Sequence, residues 1–270
     1  MCAIFGSFDK TMFEILHEAN KKRGNFASSV ICLVDDDQFV VKQEGNINFD
    51  KFNYAGKKNI EYLLGHVQAP TSANRKWTYN TSHPFESMAW LVSHNGVLTN
   101  DKKLRRKEAK FLENPVDTAV IVELLEKFTR SNKDPVAIIK QSLQLLKGTY
   151  ALSMLHCFTN EIYIARSGSL LHYNNKGNYS TMPGAGYKEL PEGVIMKLNK
   201  KTKRWNKVGT FEYNSPFAFV RLIHLYFQRQ LVKRRSPFYI KQMMVNLLSL
   251  LKRKIRSLFR KPIIKLLILQ

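Results

Sequence analysis

The sequence predicts an α+β protein with two sheets and helices on their outer faces. Strand-like apolar segments come first, two segments with helical periodicity follow at Thr118–Phe128 and Pro135–Leu146, and strand-like segments then return. Sheets and helices each bury one apolar face, so this order favours two sheets covered by helices.

Length and charge divide the chain into two parts. The 270 residues carry a net charge of +22, and the content of apolar and aromatic residues is that of a globular protein. Residues 214–270 contain thirteen Lys or Arg and neither Asp nor Glu. We therefore predict one large domain over residues 1–213 and a basic tail over 214–270. No apolar run reaches the roughly 18 residues of a transmembrane helix.

The first six residues read Met1-Cys2-Ala3-Ile4-Phe5-Gly6. Removal of Met1 leaves a thiol and a free α-amine on the same residue. Their reference pKa values are about 8.5 and 8, so the amine can serve as the base for the thiol. The alternative is an ordinary N-terminal strand with a structural cysteine.

The first half of the chain predicts a helix between strands. Asp9 is placed to cap a helix over Thr11–Lys22. A hairpin is expected from Ser28–Val34 and Gln38–Lys42, and a further strand at Glu61–Val67. The predicted inner face of the helix consists of Met12, Ile15, Leu16 and Ala19.

The second half begins with a polar loop at Ser72–Thr81 and a strand at Met88–Ser93, which delivers His94-Asn95-Gly96 at its end. Lys102–Lys110 is typical of a solvated helical face. Lys200–Lys207 reads as a basic turn before a last short strand near Thr210–Tyr213. Further strands are predicted at Tyr150–His156, Glu161–Arg166, Leu170–Asn174 and Gly193–Leu198.

Several short motifs occur in a fixed order and carry a family resemblance. The N-terminal hexamer is followed by Gly65-His66-Val67-Gln68-Ala69-Pro70-Thr71, Ser82-His83-Pro84-Phe85, Ser93-His94-Asn95-Gly96-Val97-Leu98-Thr99-Asn100 and Val116-Asp117-Thr118. Together they resemble the glutaminase domain of class II glutamine amidotransferases, which are N-terminal-nucleophile hydrolases. The resemblance covers about residues 1–213. It implies a four-layer α-β-β-α sandwich, with the basic helical tail as an addition.

The resemblance implies a set of site residues for glutamine hydrolysis. Cys2 would be the nucleophile, and the Asn95 side chain with the Gly96 N–H would hold the oxyanion. Asp117 would bind the α-ammonium of the substrate, and Thr71 would line the pocket. Two plainer interpretations stay open: Asn-Gly as a hairpin turn, and Asp117 as the N-cap of the helix that starts at Thr118.

One position departs from the family pattern. Many relatives have an arginine where this chain has Gln68, and that arginine pairs with the substrate carboxylate. Glutamine donates a hydrogen bond but carries no charge. Arg75, a few residues further on, is the candidate replacement.

Other kinds of site are not indicated. The seven histidines lie far apart without metal-ligand spacing, which favours structural or surface roles and no metal. A Gly-rich phosphate loop and a dinucleotide fingerprint are both missing from the sequence, so we expect no cofactor. Cys32 and Cys157 are expected to be inert core thiols, and three scattered cysteines fit a cytoplasmic protein.

The expected function is release of ammonia from glutamine for a synthetase on another chain. The alternatives are a non-catalytic binding module and an N-terminal-cysteine hydrolase that acts on a different amide. In the tail, apolar residues between Met244 and Phe259 recur at helical spacing among basic residues. The tail is either a packing helix or a peripheral contact with an anionic membrane, with nucleic acid less favoured.

Overall fold

A computed structural model describes residues 2–35, 37–49, 59–70, 76–182 and 184–213. The predictions for the basic tail and for two pocket residues, Thr71 and Arg75, lie outside the described residues. Within the described part, no helix is both long and apolar enough to cross a membrane.

The described residues form thirteen strands and four α-helices, with a 3₁₀-helix at Tyr79–Thr81. In chain order they are β1 (Ala3–Ser7), α1 (Lys10–Lys21), β2 (Ala27–Val34), β3 (Asp37–Glu44), β4 (Ile60–Gln68), β5 (Phe85–Glu86), β6 (Trp90–Leu98), α2 (Asp101–Glu108), α3 (Asp117–Thr129), α4 (Pro135–Leu145), β7 (Gly148–His156), β8 (Glu161–Ser167), β9 (His172–Tyr173), β10 (Tyr179–Ser180), β11 (Lys188–Glu189), β12 (Val194–Asn199) and β13 (Arg204–Thr210).

These strands form two antiparallel sheets. The first sheet has the order β11-β9-β10-β1-β4-β2-β3, so the N-terminal strand β1 lies inside it. The second sheet has the order β13-β12-β8-β7-β6-β5. Its two longest neighbours, β6 and β7, pair from Trp90 opposite His156 to Leu98 opposite Gly148.

Three hydrophobic clusters show that the elements form four layers. Phe5 of β1 packs with Phe13 of α1 on the outer face of the first sheet. A middle cluster joins Ile4 of β1 to residues of the second sheet such as Ala151. The third cluster packs α3 and α4 on the outer face of the second sheet. The predicted α-β-β-α sandwich is confirmed.

Most predicted elements are confirmed, including the helix cap: Asp9 Oδ1 accepts a hydrogen bond of 2.7 Å from the Met12 N–H. The predicted inner face of α1 is confirmed for Leu16, and Met12 packs against the core, but Ile15 and Ala19 are exposed. The other buried residues are Phe13, His17 and Asn20. The spacing is helical in both cases. Phe13 decides the rotation because it packs its ring against Phe5.

The end of the domain also differs from its prediction. Lys200–Lys207, interpreted as a basic turn, contains the start of β13 at Arg204. This strand pairs along β12 and buries Trp205, whose Nε1–H donates to the Gly177 carbonyl at 3.0 Å. Only Trp205 of this strand is buried, and its basic residues Arg204 and Lys207 are exposed, so the composition of the segment resembles that of a turn.

Candidate active site

The alternation of side chains along three strands directs the proposed catalytic residues into the space between the sheets. Ile4 of β1 and Leu64 of β4 face the second sheet, so Cys2 and Gln68 lie on that same face two or four positions along. In β6, Leu91 faces the first sheet, and Asn95 follows it by four positions. The strands β1 and β6 are in contact across this space.

The backbone at the start of β1 is held by side chains from two other segments. Arg23 Nε donates a hydrogen bond of 3.0 Å to the Cys2 carbonyl, and Arg23 Nη1 lies 3.6 Å from Met182 Sδ. The Ile4 N–H donates to Thr181 Oγ1 at 3.0 Å. Burial lowers the pKa of the Arg23 guanidinium, and the nearby Cys2 opposes this shift. Cys2 itself is partly exposed.

Gln68 is the last residue of β4, is buried and faces the same space between the sheets. Its carbonyl accepts a hydrogen bond of 2.9 Å from the Phe26 N–H. A Cβ on Gly24 would lie 2.4 Å from the carbonyl carbon of Gln68, so only glycine allows this close approach. Arg23 thus holds the backbone of Cys2, and Gly24 lets the backbone of Gln68 pack closely beside it.

Asn95 and Gly96 lie within β6, which ends five residues beyond the predicted strand, at Leu98 instead of Ser93. Asn95 is buried opposite Ala151, and Gly96 lies opposite Tyr150. Gly96 has φ +152°, and a Cβ there would lie 2.0 Å from the Thr149 carbonyl oxygen. The hairpin-turn interpretation of Asn-Gly is therefore wrong, since both residues are paired strand residues.

Asp117 is the first residue of α3, yet it does not cap the helix. The N-cap is Val116, and Asp117 Oδ2 instead accepts a hydrogen bond of 2.9 Å from the Leu98 N–H. About a quarter of the Asp117 side chain is exposed (24%). Asp117 therefore does not have to combine helix capping with substrate binding. Its contact with the Leu98 N–H instead fixes it to the end of β6.

Next to this contact lies a buried cluster of three histidines and a threonine. The four residues are His66, His83, His94 and Thr118, and together we call them the histidine cluster. The rings of His66 and His83 stack with centroids 3.9 Å apart, and His66 Nε2 lies 3.2 Å from the His94 carbonyl oxygen. Thr118 Oγ1 lies 3.0 Å from His83 Nε2 and 3.1 Å from His94 Nδ1.

Burial favours the neutral forms of two histidines of the cluster, His66 and His94. It lowers the pKa of His66 to about 3. It also lowers the pKa of His94, although the Asp117 carboxylate, 3.9 Å from His94 Nδ1, acts in the opposite direction. Neutral imidazoles each have one donor and one acceptor nitrogen, so the cluster can form a directional hydrogen-bond network.

The histidines correct one sequence-based interpretation. Their distance in the sequence favoured separate structural or surface roles, but three of them meet in the interior because they come from β4, β6 and the segment between them. Each occurs within one of the motifs, and this shared position was the available signal. Among the described residues no group of His, Cys, Asp and Glu could hold a metal ion.

The other two thiols contrast with Cys2. Burial raises the pKa of Cys32 to about 12 and, together with Glu86 and Glu126, that of Cys157 to about 11. Both therefore stay protonated at neutral pH and are poor nucleophiles. The interpretation of these two cysteines as inert agrees with this environment.

The four-layer fold, in which β1 follows directly after Cys2, resembles that of class II glutamine amidotransferases. Two solved structures share the fold. Glutamine phosphoribosylpyrophosphate amidotransferase from B. subtilis matches with a TM-score of 0.61 and 20% identity over 78% of this chain and 49% of that one. A structure described as the allosteric regulatory enzyme of purine biosynthesis matches with a TM-score of 0.62 and 18% identity over 77% and 49%.

Sequence comparison adds curated relatives. Glutamine–fructose-6-phosphate aminotransferase of Francisella tularensis is 30% identical over 181 residues, covering 63% of this chain and 29% of that enzyme. The corresponding enzyme of Halalkalibacterium halodurans is 28% identical over 180 residues, covering 63% and 30%. The chain thus spans about three tenths of the length of these relatives. No protein-family profile matches the chain. The family resemblance inferred from the motifs is confirmed.

Proposed function

We propose that this chain hydrolyses glutamine to glutamate and ammonia, with Cys2 as its N-terminal nucleophile. The observation that carries the proposal is the placement of Cys2, Gln68 and Asn95 on facing strands of the two sheets. The relatives whose names include glutamine as a substrate support the choice of amide.

The reaction follows from the chemistry of these groups. After removal of Met1, the Cys2 amine takes the thiol proton, and the thiolate attacks the side-chain amide carbon of glutamine. The Asn95 side chain and the Gly96 N–H stabilise the oxyanion. The C–N bond breaks as the amine returns the proton to the departing ammonia. Water then adds to the thioester, and its C–S bond breaks to release glutamate and the thiol.

The substrate's amino-acid end is assigned to the remaining candidates. Asp117 binds the α-ammonium through Oδ1, since Oδ2 is already bonded to the Leu98 N–H. Gln68 replaces the expected arginine at the α-carboxylate. The other two candidates, Thr71 and Arg75, lie outside the described residues. The released ammonia serves a synthetase or acceptor domain.

Mass spectrometry of the intact protein with 6-diazo-5-oxo-norleucine, a reactive glutamine analogue, tests this function. We expect a protein that lacks Met1 and gains one analogue. Cys2→Ala should take up none and release no ammonia, whereas the control Cys157→Ser should behave as the wild type. Retained Met1, or unchanged ammonia release by Cys2→Ala, contradicts the mechanism. Labelling without glutamine hydrolysis favours an amide other than glutamine, and no labelling favours a non-catalytic module.

The basic tail is assigned a second role, peripheral binding to an anionic surface. Thirteen positive charges without an acidic residue, interleaved with apolar residues, are the observation that favours it. The full chain should sediment with phosphatidylserine vesicles at low salt, and a chain ending at Tyr213 should not. Binding to DNA or RNA but not to vesicles would reject the membrane assignment.

A further inference from the structure

The buried hydroxyl group of Thr118 makes hydrogen-bond contacts next to the candidate site. Thr118 is the second residue of α3 and is almost completely buried (1% exposed). Its Oγ1 lies within hydrogen-bond distance of two imidazoles, His83 Nε2 at 3.0 Å and His94 Nδ1 at 3.1 Å. A hydroxyl has one proton to donate and two lone pairs to accept with, and Asp117 Oδ1 lies 3.5 Å away as a further acceptor, so the directions depend on the tautomers of the two rings.

The neighbouring carbonyl groups determine those directions. His94 Nε2 lies 3.5 Å from the Thr149 carbonyl oxygen, which can only accept, so Nε2 carries the proton of the neutral ring. His94 Nδ1 is then the acceptor and takes the Thr118 O–H. The Thr118 oxygen in turn accepts from His83 Nε2–H. A single chain of donors runs from His83 through Thr118 and His94 to Thr149.

The end of this chain lies against the proposed oxyanion site. The Thr149 carbonyl oxygen is the atom that excludes a Cβ at Gly96, with a separation of 2.0 Å. His94 directly precedes Asn95 in β6. The ring orientation of His94 therefore bears on both oxyanion candidates, from the helix side of the sheet.

The same hydroxyl also connects to the parts that would bind the substrate. Thr118 follows Asp117, whose Oδ2 accepts from the Leu98 N–H in the same strand β6. His66 stacks on His83 and donates through Nε2 to the His94 carbonyl, and it lies two residues before Gln68. The Thr118 hydroxyl thus contacts the segment that carries Asn95 directly, and it is linked to the segment of Gln68 only through His83 and His66.

Building on the proposed function, we propose that Thr118 is a positioning residue for glutamine hydrolysis. Its hydroxyl holds the His94 ring in the Nε2–H tautomer and so keeps Asn95 and Gly96 aligned for the oxyanion. It does not touch the substrate. Valine has nearly the shape of threonine, so Thr118→Val removes the hydrogen bonds and leaves the packing.

Steady-state ammonia release by three variants tests the proposal. Thr118→Val should lower kcat by about 10- to 100-fold with KM changed less than about threefold, because alignment of an oxyanion donor acts mainly in the transition state. Thr118→Ser keeps the hydroxyl and should stay within about threefold of the wild-type kcat.

Thr129→Val is the matched control on the same helix. Thr129 Oγ1 accepts from Trp90 Nε1 at 2.9 Å and donates to the Leu125 carbonyl at 2.9 Å, far along α3 from the cluster. Its loss should lower Tm and leave kcat unchanged. An unchanged kcat in folded Thr118→Val, a change in KM alone, or an equal loss in Thr118→Ser overturns the proposal.

A second measurement holds even if Thr118→Val does not fold. Nitrogen-15 NMR of the wild-type histidine rings should show His94 with a protonated Nε2 and an unprotonated Nδ1, and the opposite tautomer overturns the proposal. Failure of the proposed function looks different, because the wild type would then neither take up the glutamine analogue nor release ammonia. An active wild type with an indifferent Thr118 rejects the positioning role alone.

Discussion

The two sheets hold their parts of the candidate site by different means. In the first sheet, Cys2 and Gln68 are held through their backbone carbonyls, which accept from Arg23 Nε and the Phe26 N–H. In the second sheet, Asn95 and Gly96 are flanked by a buried network of side chains built on Thr118. A nucleophile at a chain end needs its main chain fastened, whereas an oxyanion site needs side-chain and amide dipoles aligned in advance.

From this comparison we expect the largest difference in activity between glycine substitutions in the two sheets. Gly96→Ala should lower activity by more than about 100-fold, because a Cβ 2.0 Å from the Thr149 carbonyl must displace β6 or β7 at the oxyanion site. Gly45→Ala, after β3 of the first sheet, is the control: φ is +73° and nothing lies within 4 Å of a Cβ. It should cost only about 1 kcal/mol of backbone strain.

Urea unfolding and ammonia release of the two glycine variants decide this point. Equal losses of activity would show that positive φ alone matters, and that the contact of Gly96 with β7 does not.

Acidification should lower the free energy of unfolding because His66 is buried in the histidine cluster. The pKa of His66 is about 3 in the folded chain against an ordinary value of 6.5, so between these values the unfolded chain binds more protons. Its contribution to stability is present above pH 6.5 and is lost as pH falls towards 3. From pH 7.5 to 5 the loss is about 2 kcal/mol for this residue.

His66→Gln keeps an amide donor for the His94 carbonyl but does not titrate. Its free energy of unfolding, measured by urea titration at both pH values, should fall by about 2 kcal/mol less than that of the wild type. The same fall in both proteins would mean that His66 becomes protonated in the folded state.

The smallest effect is expected for substrate binding at the first sheet. Gln68→Arg should tighten glutamine binding by about tenfold, because a charged bidentate contact to a carboxylate is stronger than a neutral one. Gln43→Arg, at a partly exposed position on β3, adds the same charge elsewhere and should leave KM unchanged. A KM unaffected by Gln68→Arg places the α-carboxylate at another residue.

Local patterns in the sequence were sufficient for the elements and for most of the candidate residues. The Asp9 cap and the bounds of α3 and α4 depend on capping and periodicity within a few residues. Such local features can be predicted from the sequence. The order of the motifs likewise indicated Cys2, Asn95 and Asp117, along with the class of fold.

Tertiary structure decided what depends on contacts between distant segments. The rotation of α1 places Phe13 against the Phe5 ring of β1 and buries the polar His17 and Asn20, which apolar periodicity does not predict. Asp117 accepts a hydrogen bond from the Leu98 N–H instead of capping the helix. His66, His83 and His94 became one cluster because stacking two sheets brings residues far apart in sequence within 4 Å, and no local pattern encodes that proximity.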